Sequence, residues 1–324
     1  MKAGSGGIKL QTVVTGAAGF IGSRLAERLV AEGHQVLGID CFSDYYSRRL
    51  KEYNLRNLKE ADNFSLLEEN LLELNLPETL QGVDWVFHQA AQAGVRASWG
   101  EEFSVYSNSN ILATQQLLEA AREVKIAKFI YASSSSVYGE TDDLPMREEG
   151  RTRPVSPYGV SKLAAENLCQ LYHHNFGLPV ISLRYFTVFG ERQRPDMAFH
   201  IFIKAILSGE KLTIFGDGEQ SRSFTHVDDV VEANLLAAES SLAGEIFNIG
   251  SGEENITLNE TIDLIEEITG CKAKRDYQSR VSGDVRHTSA DLSRAKKMLN
   301  FSPEVDIAAG LAGEVAYIKE VYGL

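Results

Sequence analysis

Short apolar runs alternate with longer stretches of helical periodicity through the first half of this chain. "QTVVTG" (11–16), "QVLGID" (35–40), "VDWVFHQAA" (83–91), "KFIYASS" (128–134) and "PVISLRYF" (179–186) are rich in β-formers, which predicts strands. Between the first two, "GSRLAERLVAEG" repeats its apolar positions at helical spacing and stops at Gly33. "NSNILATQQLLEAAREV" and "YGVSKLAAENLCQLYHHNFG" carry the same helical signal. Strands that alternate with helices predict an α/β fold, a doubly wound parallel sheet covered on both faces. After about residue 188 the alternation loosens, and "EIFNIGSG" (245–252) reads as one more strand returning to the sheet. At 324 residues the chain exceeds the size at which one core usually stops growing, so two lobes are expected. The larger spans residues 1–187 with a returning segment of about 217–255. A smaller C-terminal α/β lobe spans 188–324, mainly 188–216 and 256–324.

The first strand runs into "TGAAGFIG" (15–22), where Gly16, Gly19 and Gly22 bracket Phe20 and Ile21 and a helix follows. Glycines in such a turn let backbone N–H groups approach a pyrophosphate at the helix N-terminus. The second strand ends on Asp40, where a carboxylate hydrogen-bonds a ribose 2′-OH and repels a 2′-phosphate. The pattern is a dinucleotide (Rossmann) fingerprint, and Asp40 favours NAD over NADP.

Charge narrows the partners. The net charge is −13 with no long basic run, which argues against nucleic acid or an anionic membrane. No run approaches the roughly 18 apolar residues of a membrane span, and the N-terminal "MKAGSGGIKLQTVV" lacks the apolar core of a secretory signal. Cys41, Cys169 and Cys271 show no CxxC spacing and read as thiols of a reducing, cytoplasmic compartment. The seven histidines form no HxxxH or HExxH pattern, so no metal site is expected.

"YGVSK" (158–162) places Tyr158 and Lys162 four apart, just after Ser156-Pro157. Proline presets the first helical turn, and positions i and i+4 share one helix face. A nearby cation favours a phenolate, so the pair suits a general base. Four-residue patterns arise by chance, and alone this one also fits a half-buried phenol beside a solvated lysine.

TGxxGxxG, "HQAA" (88–91), "SSSSVYG" (133–139) and YxxxK together resemble the extended short-chain dehydrogenase/reductase family, and within it the sugar-nucleotide 4-epimerases. "FGDGEQSRSFTHVDDVVEA" and "FNIGSG" resemble that family's substrate lobe and last sheet strand, while "SLRYFTVFGERQRPDMAF" and "AGVRASWG" resemble the UDP-glucuronate 4-epimerases. The resemblance implies a tightly held NAD, recycled in each turnover, and a UDP-sugar substrate. It implies Tyr158 as base, Lys162 on the nicotinamide ribose, and Ser134 on the sugar O4. Asn70 and Leu71 fall where the family contacts adenine, Ala90 and Ala91 line the cofactor, Asn110 lies behind it, and Phe186 packs beside the nicotinamide. Arg194 stands beside the substrate, with Arg96 of similar status, and Arg222, Asp284 and Arg286 match the clamp on diphosphate and uridine ribose. A homodimer through a four-helix bundle, built from "NSNILATQQLLEAAREV" and "SKLAAENLCQLYHHNF", is also implied.

Sister chemistries begin with the same oxidation at C4. The 4,6-dehydratases carry Asp-Glu after the active-site Ser or Thr, where this chain has Ser135 and Ser136. UDP-glucuronate decarboxylases typically carry Glu at one of these positions and Asn at Thr187. Hydroxyls at Ser135, Ser136 and Thr187 instead suit holding a carboxylate in one plane. The reading is UDP-glucuronate to UDP-galacturonate epimerisation, with UDP-hexose or UDP-N-acetylhexosamine epimerisation and decarboxylation as alternatives. A non-catalytic relative is disfavoured, because such proteins tend to lose Tyr or Lys of YxxxK.

Overall fold

A computed structural model of the chain describes residues 9–252, 255–279 and 285–324. Its centre is a seven-stranded sheet of β1 (Gln11–Thr15), β2 (Gln35–Asp40), β3 (Phe64–Glu68), β4 (Trp85–His88), β5 (Lys128–Ser134), β6 (Val180–Tyr185) and β7 (Glu245–Ile249). The order is β7-β6-β5-β4-β1-β2-β3, and every pairing is parallel. Chain order reverses between β1 and β4. In an open α/β sheet that reversal opens a crevice outside the carboxyl ends of the strands. In register, Thr15 faces both Ile39 and His88, so the glycine turn, Asp40 and the "HQAA" segment leave the sheet at one edge.

Helix α1 (Phe20–Ala31) is the first crossover, and the chain turns after it at Gly33, whose φ of +89° suits glycine. Helix α2 (Ala113–Val124) is preceded by a π-helical turn over Ser107–Leu112, a wider winding than the α-helix its sequence predicts. Helix α3 (Pro157–Phe176) starts at the N-cap Ser156, whose hydroxyl accepts from Gly159 N at 3.1 Å, and ends at Gly177 in the left-handed region. All seven residues of β5 are buried, as expected for a central strand covered on both faces.

One apolar cluster packs on each face of the sheet. A third joins Phe189, Phe199, Ile203, Ile262, Leu311 and Ile318, with Leu50 reaching it from the first half of the chain. Three details differ from expectation. Strand β3 escapes the sequence signal because it is a half-exposed edge, FSLLE, without a β-branched residue, and its Leu-Leu-Glu run suits a helix as well. The segment 83–91 pairs only over Trp85–His88, because Gln89–Ala91 turn away to form a wall of the crevice. Leu292, Ala295, Leu299 and Phe301 pack into the sheet's core rather than the third cluster. We propose a division into lobes close to the expected one, with about 290–301 assigned to the sheet lobe.

Candidate active site

The crevice at the carboxyl edge has a volume of about 420 Å³ and a mostly apolar floor. Its first wall is the glycine turn. Gly16 has φ +70° and donates to Ile39 O at 2.7 Å. A Cβ on Gly22 would collide with the Gly16 carbonyl oxygen, and one on Gly16 would stand 2.9 Å from the Ala90 backbone. The N-cap of α1, Gly19, has no side chain to satisfy the first-turn amides, so these amides suit a bound pyrophosphate. Phe20, Ile21 and Gly22 complete this wall.

Asp40 lines the crevice and is tied down, with Oδ2 accepting from Ala18 N at 3.1 Å and Oδ1 from Phe42 N at 2.8 Å. The carboxylate therefore braces the glycine turn as well as facing the crevice. Asn70 and Leu71 lie on the adjoining wall, and Asn70 Oδ1 accepts from Leu72 N. Ala90 and Ala91 form the opposite wall, with Ala90 N donating to Thr15 Oγ1 at 3.1 Å. Asn110 does not line the crevice. It is buried behind it and grips Gln92 through both ends of its amide, at 2.7 and 2.9 Å, while also donating to Ser161 Oγ in α3 at 2.9 Å.

Tyr158 and Lys162 both line the crevice from the first turns of α3. Lys162 is only 3% exposed, and its Nζ stands 4.7 Å from the centre of the Tyr131 ring. Burial pushes its pKa down from the ordinary 10.5 to about 8. Burial also pushes the Tyr158 phenol above its ordinary value, opposed by a hydrogen bond with Ser134 and the charge of Arg194. Arg194 thus adds a cation to the phenol's surroundings from outside its own helix. Below pH about 8 the folded protein holds a buried ammonium that the unfolded chain keeps in water at no cost. That cost fades as pH rises from about 8 toward 10.5. Lys162→Met should therefore raise the melting temperature of the NAD-free protein below pH 8, with the gain shrinking above it. A thermal unfolding series against pH checks this.

The serine run leaves β5 as a short 3₁₀ turn over Ser135–Val137. Ser134 Oγ accepts from Ser136 N at 3.1 Å. Beside it, Ser133 Oγ donates to Glu166 Oε2 at 2.6 Å, and Glu166 is paired bidentately with Arg184, at 2.7 and 3.0 Å. Arg184 also donates to the Tyr138 hydroxyl, which donates to Asn248 Oδ1 at 2.7 Å. This buried network joins the ends of β5, β6 and β7 to α3. Ser135, Ser136 and Thr187 are half-buried just beyond the ends of the adjacent strands β5 and β6. Phe186 is 1% exposed and packs with Val137, Tyr138 and Met146, behind the crevice rather than in its wall.

Arg194 lines the crevice, and its Nε and Nη2 each donate to Asp196 at 3.0 Å. Arg96 stacks over the Phe215 ring at 4.7 Å, outside the crevice wall. Arg222 Nη1 donates to the Arg286 carbonyl at 2.8 Å, and Arg286 pairs with Asp217 at 3.1 Å, so residues 64 apart in sequence meet at one place. Asp284 lies outside the described residues. The sequence reading missed Tyr45, Tyr46 and Lys51, which line the crevice just beyond Asp40. Lys51 Nζ is spent on Ser43 O at 2.8 Å. The signal was the aromatic pair "YY" beginning five residues after Asp40. Among the described residues, no group of three or more His, Cys, Asp or Glu is arranged to hold a metal.

The profile of the NAD dependent epimerase/dehydratase family matches residues 12–250. An uncharacterized UDP-glucose epimerase of Bacillus subtilis is 46% identical over 315 residues, which cover 97% of this chain and 99% of that protein. A UDP-glucuronate 4-epimerase of Thermodesulfobacterium geofontis is 41% identical, covering 95% of this chain and 96% of the relative. The crystal structure of UDP-glucuronic acid 4-epimerase from Bacillus cereus, in complex with UDP-glucuronic acid and NAD, superposes with a TM-score of 0.94. It is 45% identical, and the match covers 97% of this chain and all of the other. With its glycine turn, its Asp40 and its Tyr158–Lys162 pair on one crevice, the chain belongs to the NAD-dependent epimerase/dehydratase family.

Proposed function

We propose that this protein interconverts UDP-glucuronate and UDP-galacturonate by inverting the sugar at C4. One observation carries the reading: Tyr158, Lys162 and Arg194 line the same crevice as the glycine turn and Asp40. An acid–base group and a carboxylate-binding cation are thereby set beside a dinucleotide cradle. The 41% identity to a UDP-glucuronate 4-epimerase and the close likeness to a structure holding UDP-glucuronic acid and NAD support it. The residues fit NAD: side chains at Gly16 or Gly22 would collide with the backbone of Ala90 or of Gly16 itself, so glycine keeps the turn tight, and the first-turn amides of α1 are left to meet a pyrophosphate.

NAD, when bound, supplies a hydride acceptor for C4 and later a hydride donor to the opposite face. Tyr158 takes the O4 proton as C4 is oxidised and gives it back on reduction, so one group serves as base and then acid. Ser134 hydrogen-bonds O4 and keeps the phenol oriented. Lys162 holds the nicotinamide ribose. Arg194 takes the sugar carboxylate, and the hydroxyls of Ser135, Ser136 and Thr187 fix its plane, away from the alignment that releases CO₂. Arg222 and Arg286, with Arg96 nearby, meet the diphosphate and uridine, because an anionic chain needs local cations to hold a doubly charged group.

The test is product analysis. Purified protein is incubated separately with UDP-glucuronate, UDP-glucose and UDP-N-acetylglucosamine, and products are resolved by NMR. Turnover of UDP-glucuronate alone to the galacto-configured uronate is the expected result. Turnover of UDP-glucose alone would favour the second reading, UDP-hexose epimerisation, which the description of the 46% identical relative supports.

Asp40→Ala should weaken NAD binding and relax discrimination against NADP, because the ribose acceptor and the repulsion of a 2′-phosphate go together. Fluorescence titration with both cofactors measures the ratio, and an unchanged ratio would leave Asp40 only its hydrogen bonds to Ala18 and Phe42. We further propose a homodimer in which α2 and α3 pair with their copies in a four-helix bundle. Leu112, at the end of the turn that leads into α2, and Val160, Leu171 and Phe176 on α3 are exposed apolar side chains, 43–53% accessible, more than a solvent-facing helix needs. Light scattering at micromolar concentration decides. The three cysteines are free thiols and no described helix is long and apolar enough to cross a membrane, which supports the cytoplasm as its place.

A further inference from the structure

Arg194 meets side chains from two chain segments far apart in sequence. On its own loop, Asp196 takes the side edge of the guanidinium, Nε and Nη2, in a bidentate pair with both bonds at 3.0 Å. Tyr45, in the loop that follows Asp40, reaches the same pair. Its ring centre lies 5.9 Å from the guanidinium carbon, and its hydroxyl donates to Asp196 Oδ2 at 3.0 Å. The three side chains close a triangle. Tyr45 reaches this position by crossing Gly94, where a Cβ would collide with the phenol oxygen. Tyr45 and Arg194 both line the crevice.

The triangle leaves one edge of the guanidinium unused. Among the described residues, no hydrogen bond engages Arg194 Nη1. A guanidinium is a planar fork that binds a carboxylate through either of two edges. With the side edge taken by Asp196, the end edge, Nη1 with the second hydrogen of Nη2, remains for a ligand. The side chain of Arg194 is 22% exposed and that of Asp196 36%, so the pair lies at the rim of the crevice. An arginine there loses several rotatable bonds of freedom when it binds, unless something already holds it.

We propose that Asp196 and Tyr45 are positioning residues: they hold Arg194 by one edge and aim the other at the carboxylate of the uronic-acid sugar, which sets the preference for uronates over neutral sugars. The proposal rests on the uronate reading above and adds to it. The bound carboxylate then forms a second charge-assisted pair on a cation whose orientation is already fixed. A neutral CH₂OH at the same place gains little from that orientation. The triangle also ties Arg194 to the loop that follows Asp40, so the two halves of the site share one support.

The experiment measures KM and kcat of the NAD-loaded enzyme for UDP-glucuronate and UDP-glucose in Asp196→Ala, Asp196→Asn, Tyr45→Phe and Arg194→Leu. Asp196→Ala is expected to raise KM for UDP-glucuronate about two- to fivefold, the scale of a partly exposed ion pair, while KM for UDP-glucose moves by less. Asp196→Asn keeps a hydrogen-bond acceptor and should recover part of the loss. Tyr45→Phe keeps the ring and should shift KM in the same direction by less. Equal changes for both sugars in Asp196→Ala, with Arg194→Leu still selective against the uronate, would overturn the positioning role alone. Equal changes for both sugars in Arg194→Leu would overturn the uronate reading and this inference with it.

Discussion

Tyr158→Phe should fold, bind NAD and bind UDP-sugar, yet lose turnover by about 10²–10⁴-fold, the range for removing a positioned acid–base group. Tyr158 lines the crevice, and its phenol feels both the Ser134 hydroxyl and the Arg194 charge. Phenylalanine keeps the ring, which meets Tyr106 edge-on with centroids 6.3 Å apart, so the packing survives. What goes is the oxygen proposed to take and return the O4 proton, and Ser134 offers no comparable base. The measurement is kcat for UDP-glucuronate epimerisation beside a calorimetric Kd for substrate. Near-normal kcat with unchanged Kd would sink the mechanism.

Arg184→Met should destabilise the fold by about 3–5 kcal/mol, the cost of leaving a buried charge without its partner. The side chains of Arg184 and Glu166 are 4% and 2% exposed, and two hydrogen bonds join them. Methionine leaves the Glu166 carboxylate with the Ser133 hydroxyl alone. It also removes the donors to Tyr138 OH and the Glu148 carbonyl. Because Ser133 precedes Ser134, the loss reaches the site as well as the core. Urea unfolding gives the stability. The double variant Arg184→Met/Glu166→Gln should recover part of the loss, since the uncompensated charge is then gone. Additive losses would show that the two residues act separately.

The parts of this protein legible in its sequence are those in which neighbours in sequence are neighbours in space. The glycine turn is one βα junction, Asp40 ends the next strand, and Tyr158 and Lys162 sit four apart on a helix whose start Ser156-Pro157 announces. Backbone geometry alone sets these relations, so spacing suffices to read them. The alternation of strands and helices determined the parallel sheet in the same way, since each crossover helix must pack on it.

Tertiary structure decided what depends on burial and on distant partners. Strand β3 has no β-branched residue to announce it, and it exists because β2 offers it an edge. Tyr45 and Asp196 are 151 positions apart, and Arg184 and Asn248 meet the same Tyr138 hydroxyl from different strands. No local period encodes such contacts. The charge balance at Tyr158 belongs here too. The i+4 spacing pairs the phenol with Lys162, while burial lowers the pKa of that ammonium and raises that of the phenol, and a further cation, Arg194, acts on the phenol from a separate loop. Desolvation is a property of the whole packed environment, so helix spacing determined which residues share the crevice, and only the fold decided how their protons are held.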